Sequence, residues 1–207
     1  MTGNPTRAWR DAEGAARLAR LLLFVEVGLY AGAVVLGLLV PPGDKALEAP
    51  IALFGLVQFV GFAAAAIAVL RWIYLADNNA RALGAEDLSG SPGWAVGWFF
   101  VPLANLIMPY TTVRDMWKAS VNPKDWQAEN GESLVILWWA CWLISQISGT
   151  IAFRLELEMG YEAGEATRML GLASDLVSIP SALLLAVIIG RIQAQQVQTR
   201  PVAILAA

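Results

Sequence analysis

The chain of 207 residues has no histidine, one cysteine and few charges, and each scarcity removes a class of function. Without His there is no axial imidazole for haem, no imidazole zinc ligand and no His general base. Cys141 lies inside an apolar run, so neither an internal disulfide nor a cysteine metal site can be built within one chain; it reads as a small core residue. Charged residues make up 15%, against roughly 25% in a soluble domain. A net charge of −3 without a clustered Lys/Arg face argues against nucleic acid as a partner. No nucleophile–base pair and no paired-carboxylate motif is recognisable, so a non-enzymatic protein with no cofactor and no metal is expected.

What the chain has instead is apolar sequence, 57% of its residues, in long runs. Residues 18–40, 50–74, 133–153 and 169–190 each reach or exceed the roughly 20 residues that cross a 30 Å hydrocarbon core. Pro41 and Pro42 end the first run, and Pro180 is expected to kink the fourth. No Pro/Ser-rich linker interrupts the chain, which reads as a single integral-membrane domain over 1–207. The early Arg7, Arg10, Arg17 and Arg20 precede an apolar run too long for a signal peptide and without a convincing cleavage site, so the first helix is expected to stay attached.

Residues 94–109 are apolar too, but 16 residues make only about 24 Å of helix and Pro102 sits in the middle. Charge decides how to treat them. With four spans, eleven of the 14 Lys and Arg residues fall inside, leaving Lys45, Arg154 and Arg168 outside; with a fifth span the division is eight to six. Four spans with both termini in the cytoplasm are therefore expected, in a bacterial inner membrane. Residues 94–109 then form a re-entrant or interfacial hairpin. After them, TTVRDMWKAS sets Val113, Met116 and Trp117 at helical spacing, opposite Arg114, Asp115 and Lys118, which predicts an amphipathic interfacial helix over 110–120. Trp9, Trp72, Trp94, Trp98, Trp117, Trp126, Trp138 and Trp139 all fall toward the cytoplasmic face, a one-sided aromatic belt whose plain reading is anchoring. The fold class expected is all-α: four transmembrane helices, the hairpin and the amphipathic helix.

The run RWIYLADNNARALGAEDLSGSPGWAVGWFFVPLANLIMPYTTVRDMWKAS, residues 71–120, carries a Trp, paired Asn, Ser-Pro-x-Trp, Val-Pro-x-x-Asn, Pro-Tyr and a later Trp. It resembles the bacterial membrane family called domain of unknown function 4328. By hydrophobic pattern the likeness extends over most of the remaining spans. The resemblance implies a bacterial multi-pass protein and carries over no activity and no functional residue.

Read physically, the stretch from Arg71 continues the second helix, with Asp77 and Arg81 at i, i+4 spacing and Gly84 as C-terminal cap. Asn78 and Asn79 are expected exposed near the headgroups, binding lipid or hydrogen-bonding backbone freed around Pro102. Pro102 and Pro109 donate no backbone hydrogen bond, so the carbonyls nearby are expected to turn to Asn105, Asn78, Arg71, Arg114 or water. Trp98 and Trp117 would rim such a site and Arg71 and Arg114 meet a lipid phosphate. Within the spans, Glu26 is placed about 12 Å from the cytoplasmic side and Asp175 about 9 Å below the outer side, so they are not a pair. Gln58 and Gln146 share the half of Asp175 and suggest an outer polar cluster, while Glu26 is placed nearer Arg71 and Asn105. Gly28 with Gly32, and Ser145 with Gly149, permit close helix approach within the chain or in a homo-oligomer. Glu156, Glu158, Glu162 and Glu165 make an acidic, solvated outer segment.

These readings rank a lipid- or partner-protein-binding membrane module first. The alternative is a small-molecule or ion transporter using Glu26 and Asp175, against which stands the lack of an inverted repeat.

Overall fold

A computed structural model of the protein describes residues 8–41, 45–131, 133–159 and 164–205, with side chains to residue 200. Arg7, Pro42 and Glu162 lie outside these. The described chain is all-helical, and among its residues there is no strand. The elements are α1 (Glu13–Leu39), α2 (Glu48–Ala82), α3 (Pro92–Gly97), α4 (Met108–Val121), α5 (Ser133–Met159) and α6 (Gly164–Leu205). Short 3-10 turns occupy Trp98–Phe100, Ala104–Leu106 and Trp126–Ala128. Four helices, α1, α2, α5 and α6, are long and apolar enough to cross a membrane. They contain the four spans expected from the sequence except that α1 stops at Leu39, one residue short of the expected end at 40, and α2 and α6 run well past them.

Local chemistry explains the boundaries. α2 ends in a Schellman motif: Gly84, in the left-handed region at φ 101°, donates to the Arg81 carbonyl, and Ala85 N donates to the Ala80 carbonyl at 3.1 Å. Ser91 caps α3 by accepting from Trp94 N at 3.3 Å, and Pro92 opens the helix, where a missing N–H costs nothing. Pro109 sits likewise in the first turn of α4. α6 continues as helix through Pro180.

Packing divides the chain into two compact units. The span unit comprises Leu21–Ala65 and Leu137–Leu185; the loop unit comprises the described residues up to Arg20, Ala66–Ile136, and those from Ala186 onward.

In the span unit large apolar side chains such as Leu53, Phe59 and Phe153 point outward, while Glu26, Ser145, Ser148 and Ser178 are buried. This is the inversion that lipid imposes, since hydrocarbon gives no reason to hide Leu and good reason to hide hydroxyls. Small residues bring the helices together. A Cβ at Gly149 would lie 2.8 Å from Ser174 Oγ, and that hydroxyl donates to the Ser145 carbonyl at 2.9 Å. Gly32 faces Phe54 and Gly37 faces Leu172, whereas nothing lies within 4 Å of a Cβ at Gly28. The Ser145/Gly149 pair therefore serves contact within the chain.

In the loop unit, α4 packs against α3 and the three 3-10 turns. α4 buries Val113, Met116 and Trp117, as its spacing predicts, but it also buries Thr112, Asp115 and Ser120. Asp115 is thus not on a free polar face as expected: neighbours cover α4 on more than its apolar side, and the carboxylate is held by specific bonds.

Candidate functional site

The polar residues of α2 hold the segment before α1 in place. Asn79, with 0% exposure, accepts from Arg10 N at 2.9 Å and donates to the Arg10 carbonyl at 2.8 Å, so one side-chain amide satisfies both backbone groups of a non-helical residue. Asn78 donates to the Ala8 carbonyl at 3.1 Å. Both were expected exposed, or turned toward Pro102; they are buried instead, because this segment brings backbone groups that need partners. The Arg10 guanidinium lies over the Tyr74 ring, 5.6 Å from its centroid. Arg10, Tyr74, Asn78, Ser91 and Pro92 line a polar groove of about 440 Å³.

A second polar cluster lies around α4. Asp115, 3% exposed, accepts from Arg114 Nε at 2.9 Å, from Arg114 Nη2 at 2.8 Å and from Ser89 Oγ at 3.0 Å. Arg114 also stands 5.7 Å from the Tyr110 ring centroid. Expected to reach a lipid phosphate, it is engaged with a buried carboxylate. Trp117, expected on a rim, is buried, with Arg191 6.0 Å from its ring centroid. Trp126 Nε1 donates to the Glu86 carbonyl at 2.8 Å, Gln196 Nε2 to the Ala76 carbonyl at 2.9 Å and Thr199 Oγ1 to the Ser120 carbonyl at 3.1 Å. The expected Asp77–Arg81 ion pair forms at 2.8 Å.

The segment around Pro102 bonds much of its backbone locally. The Val101 carbonyl accepts from Asn105 N at 2.9 Å, Pro102 from Ala104 N at 2.8 Å and Leu103 from Leu106 N at 3.2 Å. These tight turns take up carbonyls that were expected to need Asn78, Arg71 or Arg114. They are closed by Leu103 in the left-handed region at φ 66°, a strained place for a γ-branched side chain. The result is an apolar tip: Phe100 is 71% exposed, Leu103 79% and Ile107 63%. Trp94 and Trp98 pack at its base with their rings tilted by 32°, 4.6 Å between centroids, and Trp98 Nε1 is shielded without a hydrogen bond among the described residues. Pro109 is buried and Pro102 exposed. Asn105 is half-buried and Arg71 exposed, and neither side chain has a hydrogen bond or ion pair among the described residues. Of the sequence-chosen residues the groove gathers Asn78; it contains none of Arg71, Asn105 and Arg114.

In the span unit, Gln58 Nε2 donates to Asp175 Oδ1 at 3.0 Å, as their shared depth predicts, while Gln146 makes no bond to the pair. Glu26 is 2% exposed and neither carboxylate oxygen has a hydrogen bond of ordinary geometry. It packs against Gly61, where any Cβ would collide with Oε1. Tyr30, one turn along α1, stands beside Glu26 and also neighbours Ser178 and Asp175. The acids, placed apart by depth, thus share a tyrosine that sequence reasoning passed over; the i, i+4 spacing of Glu26 and Tyr30 was the available signal. Arg168, also missed, donates through Nε and Nη2 to the Gly37 carbonyl at 3.1 and 2.7 Å, satisfying the last turn of α1.

Four long apolar helices, outward-facing hydrocarbon side chains and inward-facing hydroxyls define a multi-pass α-helical membrane protein. The chain belongs to the family described as Domain of unknown function (DUF4328), whose model matches residues 45–194. No curated protein and no solved structure matches it.

Proposed function

We propose that this protein is a non-enzymatic lipid-binding module of a bacterial inner membrane, with both termini cytoplasmic and residues 94–109 dipping into the inner leaflet. The observation that carries this reading is the tip. Phe100, Leu103 and Ile107 project from turns in which the Val101, Pro102, Leu103, Ala104 and Ile107 carbonyls are bonded locally, which lowers the cost of carrying the segment into hydrocarbon. A contiguous apolar projection of this kind is retained where another apolar phase covers it. Trp94 is half exposed at the base and Arg71 carries a free guanidinium, the aromatic and cationic complements of a headgroup layer.

The test is depth. A dye on Leu103→Cys in a Cys141→Ser background should be quenched by lipids brominated on the acyl chain and shielded from aqueous iodide. The opposite pattern rejects insertion. Labelling of a cysteine at position 125 from outside whole cells would reject the cytoplasmic placement.

A second reading, ion transport through the span unit, is favoured by one observation, the two solvent-shielded carboxylate oxygens of Glu26 with Tyr30 beside them. Flux of protons or alkali cations in proteoliposomes that Glu26→Gln abolishes would establish it in place of the first.

A further inference from the structure

At the start of α1, Glu13, Arg17 and Arg20 face the part of α6 that carries Gly190 and Gln193, with a groove of about 540 Å³ between them, wholly within the loop unit. Glycine at 190 makes the groove. No side chain intervenes there, so the Arg20 guanidinium rests over the helix backbone, and a Cβ at that position would lie 3.4 Å from Arg20 Cζ. Arg20 has no hydrogen bond or ion pair among the described residues. Arg17, one turn earlier on the same helix, bridges Glu13 at 2.9 Å, but both side chains are more than half exposed, and such pairs exchange readily for a better partner. One turn beyond Gly190, Gln193 Oε1 is shielded from solvent and accepts no hydrogen bond among the described residues. A buried amide oxygen without a donor is costly, so it marks where a donor belongs.

The groove thus offers two cations against one carboxylate, a net charge of +1, beside an unfilled acceptor. The span limits read from the sequence, residues 18 and 190, place it at headgroup depth. We propose that it binds the headgroup of an anionic phospholipid bearing free hydroxyls, of the phosphoglycerol type. The phosphodiester meets Arg20, with Arg17 swinging from Glu13 to join it, and the Gln193 side chain turns its amide into the groove so that a glycerol hydroxyl donates to Oε1. A zwitterionic ethanolamine headgroup brings an ammonium toward the guanidiniums and is disfavoured. None of these residues belongs to the tip, so the site stands or falls independently of tip insertion.

The experiment is native mass spectrometry of the full chain in detergent, titrated with phosphatidylglycerol, phosphatidic acid and phosphatidylethanolamine of one acyl composition, and with glycerol 3-phosphate as free headgroup. Phosphatidylglycerol should bind most tightly. Arg17→Gln with Arg20→Gln should weaken it about thirtyfold, from about 1 kcal/mol per cation. Glu13→Gln should tighten it, Gln193→Leu should erase its advantage over phosphatidic acid, and Arg154→Gln, an exposed arginine outside both sites, should leave it unchanged. The proposal is overturned if the double arginine variant keeps wild-type affinity, or if phosphatidylethanolamine binds as well. Should the double variant not fold, an unchanged affinity in Glu13→Gln overturns it equally. Glycerol 3-phosphate bound as tightly as the lipid would make the ligand a soluble phosphate ester, and lipid lost on Arg71→Gln alone would move the site to Arg71.

Discussion

The two units bury polar groups in different ways. In the loop unit the key bonds join distant parts of the chain: Ser89 to Asp115, Asn79 to Arg10, Gln196 to Ala76. In the span unit most hydroxyls bond back along their own helix, Ser148 to the Ile144 carbonyl at 2.7 Å and Ser178 to that of Ser174 at 2.8 Å. The reason is the backbone each unit must satisfy. A transmembrane helix has already paired its interior N–H and C=O groups, so its polar side chains are spare, and small ones serve mainly to let helices approach. Irregular segments such as residues 8–12 have no such internal pairing, and side chains from elsewhere must supply it. Polar residues in the loop unit therefore hold structure, whereas in the span unit smallness holds it.

That contrast can be broken at its strongest point first. Asp115→Ala leaves the partly buried Arg114 without its carboxylate and should lower stability by about 3–4 kcal/mol, read as a fall in the unfolding midpoint in detergent. A neutral result would mean that the cluster relaxes to water and that the loop unit is not polar-held. Asn79→Leu should cost about 2–3 kcal/mol and expose residues 8–12 to proteolysis before the rest of the chain unfolds. Uniform proteolysis across the chain would show that the segment does not depend on this amide.

In the span unit the sensitive change is a gain of volume. Gly149→Ala places a methyl against Ser174 Oγ and should cost about 1–2 kcal/mol, with recovery in the double variant carrying Ser174→Gly. Lack of recovery would place the strain elsewhere. The smallest effect is expected at Glu26→Gln, which keeps the buried side chain's shape and an amide able to bond Tyr30, and should shift stability by less than about 1 kcal/mol. A large loss there would mean that the carboxylate binds something, and would strengthen the transport reading.

Much of this was legible in residues alone. Four spans follow from run length, because hydrocarbon thickness sets a count. The Gly84 cap and the Asp77–Arg81 pair follow from rules acting over four residues or fewer. Gln58 and Asp175 were placed together by depth, since rise per residue converts number into height. The candidate site was less legible. Arg71, Asn105 and Pro102 were chosen on the premise that carbonyls near a proline need distant donors, but local turns satisfied them first. Asn78 and Asn79 were read as near-headgroup residues because their partner, the backbone at Ala8 and Arg10, has no side-chain signature.

By itself, then, the sequence determined the solvent each helix would meet, the number of helices long enough to cross it and the chemistry of their caps, since those depend on composition and near neighbours. Only the tertiary structure decided that Asn79 binds Arg10, that Asp115 is buried, that Glu26 and Asp175 share Tyr30 and that Arg20 rests over Gly190. Each of these joins residues whose separation along the chain carries no periodic or local energy term, so only packing brings them within reach of one another.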